Sequence, residues 1–210
     1  MKAVLFDYDD TLVQTRQCKY LALQALARRD YGFELSAAEL DEHWGIPYLE
    51  LFRRLFGAVE SDIERAAKRY EELDAEFPMR PYPDTLRVLA TLSERCLVGI
   101  VTAAGRSIVE RQLRELGIGA GALVLLQTAE DTPHHKPDPR VFEPALAMLA
   151  QRGALPESVT YVGDSLKDYF AARDAGLQFF GVLHGTTTQQ AFLEAGASTV
   201  GSLDELLVRV

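Results

Sequence analysis

The stretch VLFDYDDTLV, residues 4–13, begins as an apolar strand and then becomes acidic. Its apolar start is followed at once by Asp7, Asp9 and Asp10. Like charges about 4 Å apart repel by roughly 4 kcal/mol at an effective dielectric constant near 20. The stretch is therefore either an acidic turn open to water or a site where another group offsets the repulsion.

The composition of the chain sets limits on its class. The 210 residues suffice for one large domain or for a domain with a small insert. Hydrophobic residues make up 48%, which favours a folded core over disorder. The net charge of -9 argues against nucleic acid or an anionic membrane as the main partner. An anionic substrate would need local positive charge from a metal ion or a placed lysine.

The cysteines and the start of the chain indicate the compartment. Cys18 and Cys96 form neither a disulfide framework nor a zinc motif, so we expect both to be small core residues. The first strand follows Met1 too closely for a signal peptide, and no apolar run approaches the length of a bilayer span. We therefore expect a soluble, cytoplasmic protein. The sequence makes no prediction of its oligomeric state.

Short apolar runs alternate with helical patterns over most of the chain. Five runs are typical of strands buried on both faces: residues 3–6, 97–101, 122–126, 159–163 and 178–183. Helical patterns lie at 84–95, 107–117, 139–153 and 166–176. Gly117, Gly153 and Gly176 stand where helices are expected to end. This alternation predicts an α/β fold with a doubly wound, Rossmann-like parallel sheet.

Residues 15–82 interrupt the alternation. They contain no convincing strand and show helical patterns at 18–32, 36–45, 48–57 and 60–77. Ser36 and Glu39 have the spacing of a capping box, and the proline-rich stretch 78–83 is typical of a hinge. We therefore expect a catalytic core made of residues 1–14 and 83–210, with an inserted helical cap domain of residues 15–82.

The fourth apolar run also ends in carboxylates, because Asp164 follows it and Asp168 comes four residues later. In an open parallel sheet, ligands bind beyond the carboxyl ends of the strands. Side-chain alternation would let Asp7 and Asp9 point the same way. Four carboxylates around one crevice favour Mg²⁺, a hard cation that binds carboxylates, water and phosphate oxygens. The alternative is that Asp164 is an N-cap and that Asp168 lies on a solvated helix face.

Two other residues carry chemistry suited to phosphate. Thr102 follows the second run and precedes small residues, so its hydroxyl and nearby N–H groups could hold a phosphate oxygen. Lys136 lies in the loop HHKPDP, residues 134–139, and could neutralise a phosphate or keep a nucleophilic carboxylate ionised. The alternatives are an ordinary N-cap for Thr102 and a solvated loop lysine.

Four segments together resemble the motifs of the haloacid dehalogenase-like superfamily of phosphohydrolases. They are DYDDT (7–11), Thr102 after an apolar strand, KPDP (136–139) and GDSLKD (163–168), and they occur in the family's order along nearly the whole chain. The resemblance implies an α/β core with a helical cap, Mg²⁺ as cofactor and an aspartyl-phosphate intermediate. Asp10 stands where the family often has glycine.

The resemblance also implies a role for each matching residue. Asp7 would be the nucleophile, and Asp9 would be the general acid and then the general base. Thr102 and Lys136 would bind the transferring phosphoryl group, with Ala103 beside them in the same substrate-binding segment.

The implied metal ligands are Asp7, Asp9 through its backbone carbonyl, and Asp164, with Asp168 supporting the metal directly or through water. Asp9 argues against a dehalogenase, because dehalogenases of this superfamily have neither a leaving alcohol to protonate nor a metal. The resemblance therefore implies a Mg²⁺-dependent phosphatase that acts on a small phosphate ester.

Substrate choice is expected to depend on the cap, since a mobile lid contacts the part of the substrate beyond the phosphate. The expected cap loop lies in residues 42–54, where Gly45 and Pro47 interrupt the helical pattern. Candidate substrate contacts are His43, Trp44, Tyr48 and Arg53, together with Arg106 after the phosphate-binding strand. The alternatives are cap core for Trp44 and solvated surface for the two arginines.

The GIP turn, the KPDP loop and the helical cap resemble the phosphoglycolate phosphatase branch of the superfamily. That branch also contains pyrophosphatases, nucleotidases and sugar-phosphate phosphatases, and a phosphosugar mutase is a further alternative. A phosphoaspartate receiver shares the sheet and the acidic cluster, but a nucleophile on the first strand and a cap argue against it. A non-catalytic phosphate-binding module is the remaining alternative.

Overall fold

The structure, a computed structural model, describes residues 1–44, 46, 48–118 and 120–210, with the backbone alone of Ala120. Gly45, Pro47 and the GIP turn that contains them lie outside the described residues. The chain forms two compact units, one made of Met1–Gln14 with Pro81–Val210 and the other of Thr15–Arg80. The roles of catalytic core and cap that we expect for these units remain predictions.

The larger unit is built on a six-stranded parallel sheet. Its strands are β1 (Ala3–Phe6), β2 (Leu97–Val101), β3 (Leu125–Gln127), β4 (Val159–Gly163), β5 (Gln178–Val182) and β6 (Thr199–Val200). The spatial order is β3-β2-β1-β4-β5-β6, which confirms the predicted doubly wound α/β fold. The strand order reverses between β1 and β4, and a ligand crevice is expected at that switch point.

The smaller unit contains helices and no strand among its described residues. It contains α1 (Thr15–Leu26), which continues as a π-helical segment (Ala27–Tyr31), then α2 (Ala37–His43), α3 (Tyr48–Phe56) and α4 (Ile63–Asp74). The capping box predicted at the start of α2 is present: Glu39 N–H donates to Ser36 Oγ, and Ser36 N–H donates to Glu39 Oε2. Phe52, Phe56 and Leu26 are fully buried in the core of this unit.

The helices of the larger unit are α5 (Thr85–Ser93), α6 (Arg106–Glu115), α7 (Glu143–Ala150), α8 (Leu166–Asp174) and α9 (Gln189–Ala195). The hydrophobic core lies on both faces of the sheet, with Val4 and Phe6 on one face and Ala3 and Leu5 on the other. This explains why β1 is apolar at every position, since a strand covered on both sides has no solvent face. In the described part of the chain, no helix combines the length and apolar character needed to cross a membrane.

The structure corrects the sequence prediction at three elements. β3 covers 125–127 rather than 122–126, because the ladder with β2 begins only where Leu125 faces Gly99. The helical pattern at 139–153 divides into a 3₁₀ turn, Pro139–Phe142, and α7. The sequence analysis also missed β6, whose two residues are too few to show any periodicity.

Candidate active site

Asp7 lies directly after β1, and its N–H still donates to Val162 O of β4 at 2.8 Å. The chain then turns sharply, because the N–H groups of residues 11–13 all point at the carbonyl of Tyr8. Asp10 in this turn has φ +53°, in the left-handed region that glycine and, less often, aspartate adopt. The backbone of this turn therefore explains why Asp10 can replace the glycine that is common in the family motif.

Asp168 is fixed at the start of α8. Its N–H donates to Ser165 Oγ at 3.2 Å, while its Oδ2 accepts from Ser165 N–H at 3.1 Å and from the Ser165 hydroxyl. A Cβ at Gly163 would lie 2.6 Å from the Asp168 Cβ, so the close approach of the β4 end to this carboxylate requires glycine. The contacts with Ser165 involve only Oδ2 of the carboxylate, so Asp168 Oδ1 is available to other partners.

Lys136 joins two of these carboxylates. Its Nζ lies 2.6 Å from Asp7 Oδ1 and 2.7 Å from Asp168 Oδ1, and all three side chains are largely buried. The Tyr161 hydroxyl reaches the same oxygen of Asp168 at 3.2 Å, and Lys136 Nζ lies 5.1 Å from the centre of the Tyr161 ring. The lysine from the HHKPDP loop is therefore part of the acidic cluster and is not a solvated surface residue.

Asp7, Asp164 and Asp168 form a buried cluster in which each residue offers a carboxylate oxygen within 4.8 Å of the others. Asp164 Oδ2 accepts from the N–H and hydroxyl of Thr186 at 2.8 and 2.6 Å. A Cβ at Gly185 would overlap the Asp164 side chain, so the loop after β5 needs glycine there. The sequence analysis missed both loop residues, and the only signal for them was the run GTTT at 185–188 after the fifth apolar run.

The charges in this cluster do not balance. Burial raises the pKa of Asp7 well above its ordinary value of 3.8; Lys136 opposes that rise, while Asp168, Asp164 and Asp9 add to it. Burial and the neighbouring Asp168 also raise the pKa of Asp164. Burial alone would lower the pKa of Lys136, but Asp168 and Asp7 raise it well above its ordinary value.

One ammonium therefore faces three buried carboxylates, and two of these carboxyls have raised pKa values. Three buried oxygen ligands with excess negative charge fit a hard divalent cation, for which Mg²⁺ is a suitable size and charge.

Thr102 lies on the other side of β1 from Asp164, because β2 and β4 flank β1 in the sheet. It follows β2, its N–H donates to Gln127 O at 3.0 Å, and its Oγ1 accepts from Ala104 N–H at 3.0 Å. An open pocket beside Thr102 is lined mostly by polar and small side chains. These are Thr102, Ala103, Thr128, Ala129, Thr132, His134, His135, Lys136 and Val141. Hydroxyls, imidazoles and an ammonium around one opening suit an anionic ligand.

Two further predicted residues of the larger unit, Asp9 and Arg106, are not members of the cluster of three carboxylates. Asp9 is half-buried, and its carboxylate acts on Asp7 as a nearby negative charge without belonging to the cluster of three. Arg106 begins α6, where its guanidinium pairs with Asp131 at 2.5 Å and Glu110 at 3.5 Å. The structure thus gives Arg106 acidic partners of its own.

The candidates of the smaller unit have contacts within that unit. Trp44 is half-buried with its ring edge-on to Tyr20, 5.2 Å between ring centres, and the Tyr48 hydroxyl donates to Glu71 at 3.3 Å. Arg53 pairs with Glu50 at 2.6 Å. His43 is the last residue of α2. Their predicted roles in substrate binding remain predictions.

Known proteins share both the sequence pattern and the fold. The family model described as haloacid dehalogenase-like hydrolase matches residues 4–182. A provisionally named pyrophosphatase PpaX of Clostridium perfringens is 30% identical, over 87% of this chain and 84% of that protein. The N-acetylmuramic acid 6-phosphate phosphatase of Pseudomonas aeruginosa is 29% identical, over 88% of this chain and 83% of that protein.

A crystal structure of a provisionally named beta-phosphoglucomutase from Thermotoga maritima superposes with a TM-score of 0.83 at 26% identity, covering 99% of this chain and 97% of that one. The predictions of the superfamily, the fold class and an enzyme of the phosphatase class are confirmed by these matches. The chain belongs to the haloacid dehalogenase-like hydrolase family.

Proposed function

We propose that this enzyme is a Mg²⁺-dependent phosphatase that hydrolyses a small phosphate monoester through an aspartyl-phosphate on Asp7. The observation that carries the proposal is the buried cluster in which Asp7 contacts Lys136 and shares a possible metal site with Asp164 and Asp168. Phosphoryl transfer needs positioning and neutralisation of oxygen charge, and this cluster supplies groups for both.

In the first half-reaction, an Asp7 carboxylate oxygen attacks phosphorus, and the bond between phosphorus and the leaving oxygen breaks. Asp9 gives its proton to that oxygen, so the leaving group departs as an alcohol. Lys136 and the Thr102 hydroxyl bind oxygens of the transferring group. Lys136 also helps keep Asp7 ionised, because its ammonium lowers the pKa that burial raises.

In the second half-reaction, a water molecule attacks the phosphorus of the aspartyl-phosphate. Asp9, now ionised, takes the proton from that water, and the bond between phosphorus and Asp7 breaks. The products are inorganic phosphate and the starting carboxylate. Each of the two carboxylates therefore returns to its initial protonation state.

Asp7, Asp164 and Asp168 are the side chains that would hold the metal, with the backbone carbonyl of Asp9 as a further ligand. When bound, Mg²⁺ would offset the negative charge of the carboxylates and of the phosphoryl oxygens. Thr186 supports this role of Asp164, because its two hydrogen bonds fix one carboxylate oxygen and orient the other.

The substrate that we propose is a small phosphate monoester of the phosphoglycolate kind. The relatives named as a pyrophosphatase and as an N-acetylmuramic acid 6-phosphate phosphatase make pyrophosphate and sugar phosphates the main competitors, beside nucleotides. Neither nucleic acid nor a membrane is expected as a partner, and the cytoplasmic location remains a prediction from the sequence.

The test is hydrolysis of p-nitrophenyl phosphate by the purified protein with Mg²⁺ and with EDTA. We expect metal-dependent release of p-nitrophenol that Asp7→Asn abolishes, while the matched variant Asp174→Asn retains it, because Asp174 is an exposed partner of Arg173 on α8. Robust turnover by Asp7→Asn would refute the mechanism.

A panel of phosphoglycolate, pyrophosphate, nucleotides and sugar phosphates then ranks the substrates. The resemblance to a provisionally named beta-phosphoglucomutase makes one further outcome informative. Conversion of a sugar phosphate into its isomer without release of inorganic phosphate would identify a mutase instead of a phosphatase.

A further inference from the structure

Gln127, the last residue of β3, is a polar side chain in an apolar setting. It is only 3% exposed, and the side chains before it in the strand are leucines. Its Nε2 donates to Val141 O at 2.6 Å, and its Oε1 accepts from Ala145 N–H at 3.0 Å. The two partners fix which end of the amide is which, since a carbonyl can only accept and an N–H can only donate.

The bond to Val141 is the first of three hydrogen bonds that lead toward Lys136. Val141 N–H donates to Asp138 O at 3.1 Å, and Asp138 N–H donates to His135 O at 2.9 Å. His135 is the residue before Lys136. The Gln127 side chain therefore anchors the end of the folded loop from which Lys136 reaches Asp7 and Asp168.

The backbone of the same residue holds the other phosphate-binding segment. Gln127 pairs with Val101 in the sheet, and its carbonyl accepts the N–H of Thr102 at 3.0 Å. One residue thus contacts the segment of Thr102 through its main chain and the loop of Lys136 through its side chain.

We propose that Gln127 is a positioning residue for phosphoryl transfer, which sets the place of Lys136 relative to Thr102 and Asp7. This inference rests on the proposed function, because it takes Lys136 as a group that binds the transferring phosphoryl group. An apolar side chain at position 127 would fit the surrounding core but would leave a buried carbonyl and a buried N–H without partners. The loop would then no longer be held in one place.

A double-mutant cycle separates this role from a merely structural one. The variants are Gln127→Met, Lys136→Ala and the double variant, and the readout is kcat/KM with p-nitrophenyl phosphate. We expect Gln127→Met to lower kcat/KM about tenfold or more in the wild-type background, because small displacements of a catalytic group are costly. In the Lys136→Ala background the same change is expected to cost about twofold or less, since the group that it positions is already gone.

Gln178→Met is the matched control, because Gln178 is an exposed glutamine at the start of β5. It is expected to leave kcat/KM unchanged. Thermal unfolding of every variant establishes that the assay is run on folded protein. If Gln127→Met does not fold, Gln127→Glu is carried through the same cycle, since it keeps the acceptor for Ala145 N–H and loses the donor to Val141.

The outcomes distinguish this inference from the proposed function. Equal losses from Gln127→Met in both backgrounds would overturn the positioning role while the phosphatase assignment stands. A wild-type protein without phosphatase activity, or a Lys136→Ala variant as active as the wild type, would overturn the proposed function and this inference with it.

Discussion

Replacement of Lys136 by methionine removes the only ammonium described within the buried acidic cluster. The lysine lies 2.6 Å from Asp7 and 2.7 Å from Asp168. At an effective dielectric constant near 20, each attraction amounts to about 6 kcal/mol, most of which is offset by desolvation of the three groups. Removing one partner of a buried ion pair costs about 3–5 kcal/mol, because the other charge is left uncompensated. We expect the free energy of unfolding at neutral pH, without metal, to fall by that amount.

The loss should depend on pH in a defined direction. Without Lys136, the pKa of Asp7 rises further, because the cation that opposed the effect of burial is gone. A carboxyl with a raised pKa in the folded state binds protons more tightly when folded, so stability falls as pH rises. The deficit of Lys136→Met is therefore greatest above the folded pKa of Asp7 and shrinks as pH falls toward the ordinary value of 3.8.

Urea unfolding followed by circular dichroism in EDTA, at neutral and at acidic pH, measures both effects. The matched control is Lys167→Met, because Lys167 is an exposed lysine of α8 beside Asp168. Its stability should stay within about 0.5 kcal/mol of the wild type. Equal stabilities of the two methionine variants at neutral pH would refute the reasoning.

Three further predictions concern the cluster and the turns that support it. Asp164→Asn removes a buried carboxylate whose pKa is raised, so the melting temperature of the variant in EDTA should exceed that of the wild type. Mg²⁺ should no longer increase the melting temperature of this variant. A response to Mg²⁺ equal to that of the wild type would contradict a ligand role for Asp164. Gly185→Ala should lower the free energy of unfolding in urea by about 1–3 kcal/mol, because the added methyl overlaps Asp164. The control Gly121→Ala should change that free energy little, because a Cβ at Gly121 meets no atom within 4 Å. Asp10→Gly should be more stable than Asp10→Ala by about 1 kcal/mol, because only glycine adopts φ +53° without strain; equal unfolding midpoints would argue against that backbone effect.

The strand ends were predictable from the sequence because they combine two strong signals. A mostly apolar run without polar alternation indicates a strand covered on both faces, and a carboxylate directly after it lies at the edge where ligands bind. Asp7 and Asp164 were found in this way, and the structure places both in the buried cluster with Asp168. The catalytic and metal-binding roles of these residues remain predictions.

The supporting contacts were not predictable because no periodicity marks them. Thr186 and Gly185 belong to a loop whose composition resembles any polar turn, and only the fold brings them against Asp164. Arg106 shows the opposite case, since its position after β2 suggested a substrate contact but not its acidic partners, Asp131 and Glu110. Partners from distant segments become visible only in three dimensions.

The central position of β1 in the sheet has a consequence for folding. β1 pairs with β2, where Ala3 faces Leu97, and with β4, where Ala3 faces Val159. Both partners come later in the chain, and the residues of the second compact unit, 15–80, separate β1 from β2 along the sequence. An apolar strand with an unpaired edge is a template for aggregation. Any chain that ends before residue 159 leaves one edge of β1 open, so truncated products of this protein are expected to depend on chaperones.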